Sequence, residues 1–382
     1  MSKKIFVYDP GNFVPDYNYC LCKALKDNYP EDEIVLIAHE KNWGKRKKNF
    51  KLKKFFFNIV ENIIFLKDPI KKIFKGVEYL FELFLFIFYV IKEKPDVIHI
   101  QWFPVPLADV IAFSVIKIFN VRLVYTVHDV LPHKEKFYHK WVYGIVYKIP
   151  DILIIHSDKY RKNIEKLYGK SFHEKITIIP HGDFKKLYEE YPLDLDKSMN
   201  SDEIVFMFFG LIKKYKGLDI LLRAIGRIKN QIEGKKVKFK IFGKVKTDFE
   251  KYDKIIRDEG IRNLLDLRLE FIDEKKIPEI FNNSDVIILP YKNIYQSGVA
   301  LLAYTFDLPI VASSLGGLKE LIEEGKSGIL FQKDNIKELS EIIFNLIENP
   351  EKIEKMKKYI KNKETQKYDL NIIAKKTHEL YV

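Results

Sequence analysis

Short apolar runs recur along this chain with helical patterns between them. In the first half the strand-like runs are Lys4–Tyr8, Ile34–Ala38, Val97–Ile100, Arg122–Thr126, Ile152–His156 and Ile176–Ile179. In the second half they are Ile204–Phe209, Val237–Phe242, Leu267–Ile272, Val286–Leu289, Ile310–Ala312 and Gly328–Phe331. Runs of this kind joined by helices read as parallel βαβ units, since parallel neighbours need a long crossover. A polar stretch at 191–203 interrupts the pattern and reads as a linker between residues 1–190 and residues 204 onward. The expectation is an α/β protein with two doubly wound, Rossmann-like parallel sheets facing one another, and a ligand cleft at the carboxyl ends of their strands. A length of 382 residues suits two domains of that kind.

The most apolar segment is Val77–Ile91, VEYLFELFLFIFYVI. It falls short of the roughly 18 to 20 unbroken apolar residues of a spanning helix, and Glu78 and Glu82 interrupt it. A buried core helix feeding the strand at Val97 is the expected structure, and a face resting on a membrane is the second reading. MSKKIFVYD at the start runs straight into a strand pattern without a cleavable signal, which points to the cytoplasm. Cys20 and Cys22 fall on different faces of an expected helix, so no disulfide is predicted, and the nine histidines lack metal-binding spacing. No metal or cofactor is expected.

The net charge of +13 is uneven. Lys45–Lys54, KRKKNFKLKK, holds seven positive side chains in ten residues and leads into Phe55-Phe56-Phe57. Basic residues beside aromatics suit peripheral contact with an anionic membrane. A solvated loop in a lysine-rich chain fits the same stretch equally well. No RRM, KH, helix-turn-helix or zinc pattern accompanies the charge, so nucleic acid is not an expected partner.

The richest stretch for chemistry is Leu289–Glu320, LPYKNIYQSGVALLAYTFDLPIVASSLGGLKE. A helix beginning at Ser297-Gly298-Val299, just after a strand, would offer a hydroxyl cap, a glycine and free amides to an anion. Earlier, Phe208–Ala224, FFGLIKKYKGLDILLRA, ends a strand at Gly210 and turns through Lys213 and Lys216 into a helix. Two ammonium groups there could clamp a diphosphate from one side while the amides at Ser297–Val299 hold it from the other. No GxGxxG follows the first strand, where Gly11 stands alone, and no P-loop motif occurs.

With Pro95–Ile100 (PDVIHI), Ile178–Asp183 (IIPHGD), Phe239–Gly243 and Tyr368–Tyr381 in the same order and spacing, nearly the whole chain resembles glycosyltransferase family 4 of the GT-B fold. The resemblance implies that residues 1–190 bind the acceptor, 204–362 bind a nucleotide sugar, and a helix in 363–382 crosses back to the first domain. It implies a UDP- or GDP-sugar donor, a glycan or polyprenyl-linked acceptor, and retaining transfer in cell-surface polysaccharide or glycolipid synthesis. Lys213 stands where many members carry Arg, and Lys216-Gly217 matches the Lys-Gly pair that binds the diphosphate. Gly210, Gly243, Ile272 and Tyr291 join these on the donor side.

One departure is sharp. The family usually carries two glutamates eight residues apart around the donor helix, and the corresponding positions fall near Ile294 and Leu302, or Tyr295 and Ala303. None is acidic, which leaves Gln296, Ser297 and the amides of Gly298 and Val299 to recognise sugar and phosphate. Glu320 is the nearest carboxylate, readable equally as an exposed helix residue. In the first domain TVHDVLPH places His128 and Asp129 just past a strand. An imidazole there can hydrogen-bond a sugar, and the carboxylate can cap a turn or meet an acceptor hydroxyl. The resemblance assigns His128 to the donor sugar. Gly11, Asn12 and His181 fall on the acceptor side, and His133 is a weaker candidate; His99 and His156 read as packed strand residues.

Two competing functions remain. A sugar-nucleotide epimerase on this fold would need histidine and acidic groups in the second domain, yet His378 is the sole histidine after residue 203. A degenerate GT-B scaffold that binds a partner transferase or an anionic membrane is the non-enzymatic alternative.

Overall fold

The computed structural model describes residues 2–39, 46–60, 68–132, 136–191, 203–294 and 297–382, with the backbone alone for 68, 69 and 364–366. The chain packs as two compact units, Met1–Gly182 with Tyr368–Val382, and Asp183–Lys367.

The first unit is built on a seven-stranded parallel sheet of β1 (Lys4–Asp9), β2 (Glu33–Ala38), β3 (Lys51–Lys53), β4 (Val97–Ile100), β5 (Arg122–Thr126), β6 (Ile152–Ile155) and β7 (Ile176–Ile178). Their order is β3-β2-β1-β4-β5-β6-β7, and Ile5 to Tyr8 of β1 are wholly buried, as expected for a central parallel strand covered on both faces. Helices α1 (Pro15–Asn28), α2 (Asp68–Glu93), α3 (Pro106–Lys117) and α4 (His139–Val146) belong to this unit. Both α1 and α3 open with proline in the first turn, where no N–H is missed. The helix Leu370–Glu379 packs on α1. His378 Nε2 lies 2.7 Å from Asp32 Oδ2, and the Tyr381 hydroxyl 2.7 Å from His99 Nδ1. His99, whose Nε2 lies 2.7 Å from Thr126 Oγ1, thus anchors the C-terminus to the sheet.

Two expectations change here. The stretch from Lys45 to Phe57 is not a loop throughout. Lys51–Lys53 forms the edge strand β3 on β2, and lysine at an edge guards against further pairing. Phe56 is completely buried against Tyr8, Tyr79 and Phe86, so the aromatic run serves the core. Lys45 itself lies outside the described residues. The second change is α2, expected to be a buried core helix. It buries one face, Glu78, Tyr79, Glu82, Leu83, Phe86 and Val90, and exposes the other. Both glutamates point inward: Glu78 accepts from the amides of Ile59 (2.6 Å) and Val60 (3.0 Å), and Glu82 from that of Phe57 (2.7 Å). Among the described residues no helix is long and apolar enough to cross a membrane.

The second unit has a six-stranded parallel sheet, β8 (Ile204–Phe209), β9 (Val237–Phe242), β10 (Leu265–Arg268), β11 (Val286–Leu289), β12 (Ile310–Ser313) and β13 (Gly328–Phe331), in the order β10-β9-β8-β11-β12-β13. The tenth strand starts earlier and stops sooner than the apolar run Leu267–Ile272 suggests. Its partner β9 ends opposite Arg268, and an edge strand without a partner has no ladder to continue.

Candidate active site

In a doubly wound sheet, ligands bind outside the carboxyl ends of the strands where the order reverses direction. In the second unit that point lies between β8 and β11. The loops after these two strands carry the residues that the sequence nominates.

They are held in backbone contact by glycine. Gly217 sits at φ +69°, and a Cβ there would lie 1.8 Å from the carbonyl oxygen of Pro290, so no side chain fits. The Lys292 amide donates to the Tyr215 carbonyl at 2.7 Å and pins the same two loops. Gly243, at φ +148°, likewise packs against Gly210: its Cβ would stand 2.0 Å from the Gly210 oxygen. A Cβ on Gly210 would in turn meet Lys216 Nζ at 3.0 Å and Val299 Cγ2 at 3.4 Å. Gly210, Lys216, Gly243 and Val299 are thereby brought together.

Lys216 is the unusual member. Its side chain is buried, its ammonium donates to the Tyr291 hydroxyl at 3.2 Å and lies 5.0 Å from that ring's centroid. Among the described residues no carboxylate pairs with it. Burial lowers its pKa from the ordinary lysine value, with the neighbouring Tyr215 opposing and Lys213 adding to the shift. Burial also pushes the Tyr291 phenol up to about 12. Lys213 is half-buried, its Nζ 5.9 Å from the Tyr215 ring centroid. A buried cation whose partner is a neutral hydroxyl is a ready receptor for an anion.

Facing it is the helix Gly298–Thr305. Ser297 caps it, with Oγ accepting from the Ala300 amide at 3.3 Å, and the same Oγ is 3.5 Å from the Tyr291 hydroxyl. Among the described residues a Cβ on Gly298 would meet nothing within 4 Å, which leaves room for a ligand at the helix N-terminus. The other donor-side candidates are less gathered. Ile272 lies four residues past the end of β10, half-buried and off the sheet. Glu320 is exposed on the short helix Leu318–Leu321, without a hydrogen bond or ion pair among the described residues. Gln296 lies outside the described residues, as do His133 and most of 191–203. The sequence reading missed Ser313, whose buried Oγ at the end of β12 has no hydrogen-bond partner among the described residues.

The first unit carries a second constellation at the carboxyl ends of β5, β6 and β7. His128, His156 and His181 follow those strands, and all three rings pack on Tyr17, with centroids 5.0, 5.9 and 4.8 Å away. His128 also stacks on Trp102. His156 Nδ1 must donate to the Ile179 carbonyl, 3.0 Å away, which leaves its Nε2 bare in the neutral ring. Its contact of 3.5 Å to His128 Nδ1 then needs the proton on His128. His128 Nε2 therefore accepts, and the Gln101 amide 2.9 Å away serves it best with its NH2 group turned to the ring. That orientation also gives the buried Gln101 Nε2 the partner it otherwise lacks.

Burial holds these imidazoles neutral: His156 falls to about 3, His181 to about 4, and His128 well below its ordinary value. They can exchange hydrogen bonds with hydroxyls but do not act as cations at neutral pH. Asp129 is near enough to Tyr125, Tyr143 and Tyr147 to raise their pKa values, while the His128 ring sits among Tyr17, Trp102 and His156. At the switch point of this sheet, between β1 and β4, Gly11 and Asn12 form the turn after β1, closed by the Asn12 amide donating to the Asp9 carbonyl at 2.9 Å. The buried Asp9 accepts from Asn18 Nδ2 at 2.7 Å, and burial raises its pKa. Asp9, Asn18, Gln101 and Trp102 had no local signal in the sequence, because their neighbourhood forms only when β1, α1 and β4 assemble.

Residues 20–182 match the family model described as Glycosyltransferase Family 4, and residues 194–363 that described as Glycosyl transferases group 1. The chain is 25% identical over 283 residues to an uncharacterized 41.2 kDa protein in the cps region of Klebsiella pneumoniae, covering 70% of this chain and 74% of that protein. Its fold is similar to that of a glycosyltransferase from Rickettsia africae, with a TM-score of 0.77 at 16% identity over 100% of this chain and 98% of the other. It is similar also to Anabaena HepE in complex with UDP and glucose, with a TM-score of 0.71 at 18% identity over 99% and 98%. The two family matches and the paired parallel sheets agree with one another: the chain is a glycosyltransferase of the GT-B fold, of the family 4 kind.

Proposed function

We propose that the protein moves a sugar from a UDP- or GDP-sugar, with retention of anomeric configuration, to a glycan or polyprenyl-linked acceptor in the synthesis of a cell-surface polysaccharide or glycolipid. The observation that carries this reading is Lys216, a buried ammonium with no carboxylate partner among the described residues, set at the switch point beside an open helix N-terminus. The HepE complex with UDP and glucose and the cps-region relative support the donor class and the pathway type.

In this reading Lys216, Lys213 and the amides of Gly298 and Val299 hold the diphosphate. They stabilise the charge that grows on it as the bond between the anomeric carbon and the phosphate oxygen breaks. The acceptor oxygen bonds to that carbon on the face the diphosphate leaves, and its proton passes to the departing phosphate oxygen. No carboxylate nucleophile is required, so a donor helix without glutamates is compatible with turnover. His128, held as a neutral ring by Gln101 and His156, orients a sugar hydroxyl, and Asp129 meets the acceptor. Residues 1–190 take the acceptor and 204–362 the donor, with the protein working in the cytoplasm. The test is transfer from a panel of UDP- and GDP-sugars to polyprenyl-diphosphate sugars, read by mass spectrometry. A product with one added hexose supports the reading; no turnover together with no nucleotide binding leaves the non-enzymatic scaffold in its place.

A further inference from the structure

The exposed face of α2 is a feature that the transfer reaction does not use. Ile73, Val77, Leu80, Phe81, Phe84 and Phe88 recur at spacings of three and four residues, and each is 50–67% exposed. They form one stripe along a helix face, and 15 residues of rise make it about 23 Å long. The neighbouring α3 packs on α2 and exposes Leu107 and Ile111 as well, with Ile118 exposed just past its end. Water-soluble surfaces rarely leave so much contiguous apolar area uncovered without a partner.

The charges around the stripe identify that partner. The acidic residues of the helix's middle, Glu78 and Glu82, are buried on its inner face, bound to backbone amides. What borders the outer face is basic: Lys72 is exposed near its start and Lys92 at its end. Lysines also flank the helix where it packs on the preceding segment, Lys53 Nζ lying 5.4 Å from the Tyr89 ring centroid and Lys75 Nζ 5.9 Å from that of Phe57. A symmetric pairing of two copies through α2 would set these like charges against one another. A bilayer with anionic headgroups answers both parts of the surface, apolar side chains to the acyl boundary and lysines to the lipid phosphates.

We propose that α2 lies flat in the interface of an anionic bilayer and docks the first unit on it. The contact is thus assigned to the helix face rather than to the aromatic run after Lys54, which is inside the core. Vesicle binding needs no nucleotide, so this proposal and the donor reading can fail separately.

The experiment is co-sedimentation of the full chain with vesicles of phosphatidylcholine alone and of phosphatidylcholine mixed with phosphatidylglycerol, in low salt. The wild type should pellet with the anionic vesicles and stay in solution with the neutral ones. The double variant Phe81→Ser/Phe84→Ser should bind at least about tenfold more weakly at an unchanged Tm, both positions being solvent-facing. Failure of the wild type to bind anionic vesicles, or equal binding by the variant, overturns the proposal. So does a wild-type dimer in analytical ultracentrifugation that the same variant converts to monomer, which would make the face a self-association surface.

Discussion

Replacing Lys216 by methionine tests the donor site through stability and binding together. In the ligand-free protein the ammonium is buried, donates to the Tyr291 hydroxyl and has no counter-charge among the described residues. Burial sets its folded pKa below the ordinary lysine value. The unfolded chain therefore takes up the proton first as pH falls, so native stability declines through that range and the deficit is carried at neutral pH. Methionine keeps the unbranched apolar stem and removes the ammonium, so the ligand-free Tm should be no lower than that of the wild type. Binding moves the other way. A charge-assisted hydrogen bond contributes about 1.5–3 kcal/mol, which weakens a nucleoside diphosphate about ten- to 150-fold when lost. Calorimetry with UDP and GDP measures this, with uridine and guanosine as controls that the variant should bind like the wild type. A loss of less than about threefold for the diphosphate, or an equal loss for the nucleoside, refutes the assignment. A clear fall in the ligand-free Tm would show instead that the ammonium is a structural element.

Two glycines of the same site should respond in opposite ways. Gly243→Ala drives a Cβ to 2.0 Å from the Gly210 oxygen at φ +148°, so Tm should fall by at least about 6 °C, a loss of roughly 3 kcal/mol or more. Gly298→Ala meets nothing within 4 Å among the described residues and should leave Tm unchanged, yet lower UDP or GDP affinity about tenfold by blocking phosphate approach; undiminished affinity would place the phosphates elsewhere. Glu82 gives a pH signature, because burial raises its carboxyl to about 7 against the opposing bond from the Phe57 amide. Its folded pKa exceeds the unfolded one, so its stabilising effect is complete at low pH and is lost as pH rises through about 7. Wild type should lose on the order of 1 kcal/mol more than Glu82→Gln between about pH 6 and about pH 8.5 in urea unfolding, and parallel curves would contradict this.

The parallel sheets were legible because central strands buried on both faces leave a mark in sequence. Val286–Leu289 is a continuous apolar run and Val97–Ile100 is interrupted only by His99, and the strands found there have the expected bounds. The edges were not legible for the converse reason. Lys51–Lys53 is charged because it guards an edge, so it read as a basic loop. Ile272 prolonged an apolar run past the point where β9 supplies a partner. In the second unit's site, spacing pointed to Lys216 and Ser297, since a Lys-Gly pair and a hydroxyl before a helix have local causes. The Tyr291 hydroxyl between them is a tertiary contact, and the same holds for the Gln101 and His156 bonds that fix the His128 ring.

The residues that broke the simplest reading share one property. On α2 Glu78 and Glu82 face inward and phenylalanines face water; in the loop after β8 a lysine is buried with no carboxylate partner among the described residues. Local rules of burial would have each of these reversed, and sequences that fold well violate such rules mainly where function requires it. The inward glutamates are balanced inside the chain, by the amides of Phe57, Ile59 and Val60. Among the described residues nothing covers the outward phenylalanines, and the buried ammonium has a neutral hydroxyl but no counter-charge. Each needs a partner beyond the described residues, and the chemistry of the deficit names its class: apolar area with exposed lysine at its two ends calls for an anionic interface, and a desolvated cation beside a helix N-terminus calls for a phosphate. The two deficits lie in different units, so a variant that abolishes one should leave the other intact. Phe81→Ser/Phe84→Ser should therefore retain wild-type UDP or GDP affinity, and Lys216→Met should retain vesicle binding. Loss of both activities in either variant would mean that the units are not independent receptors.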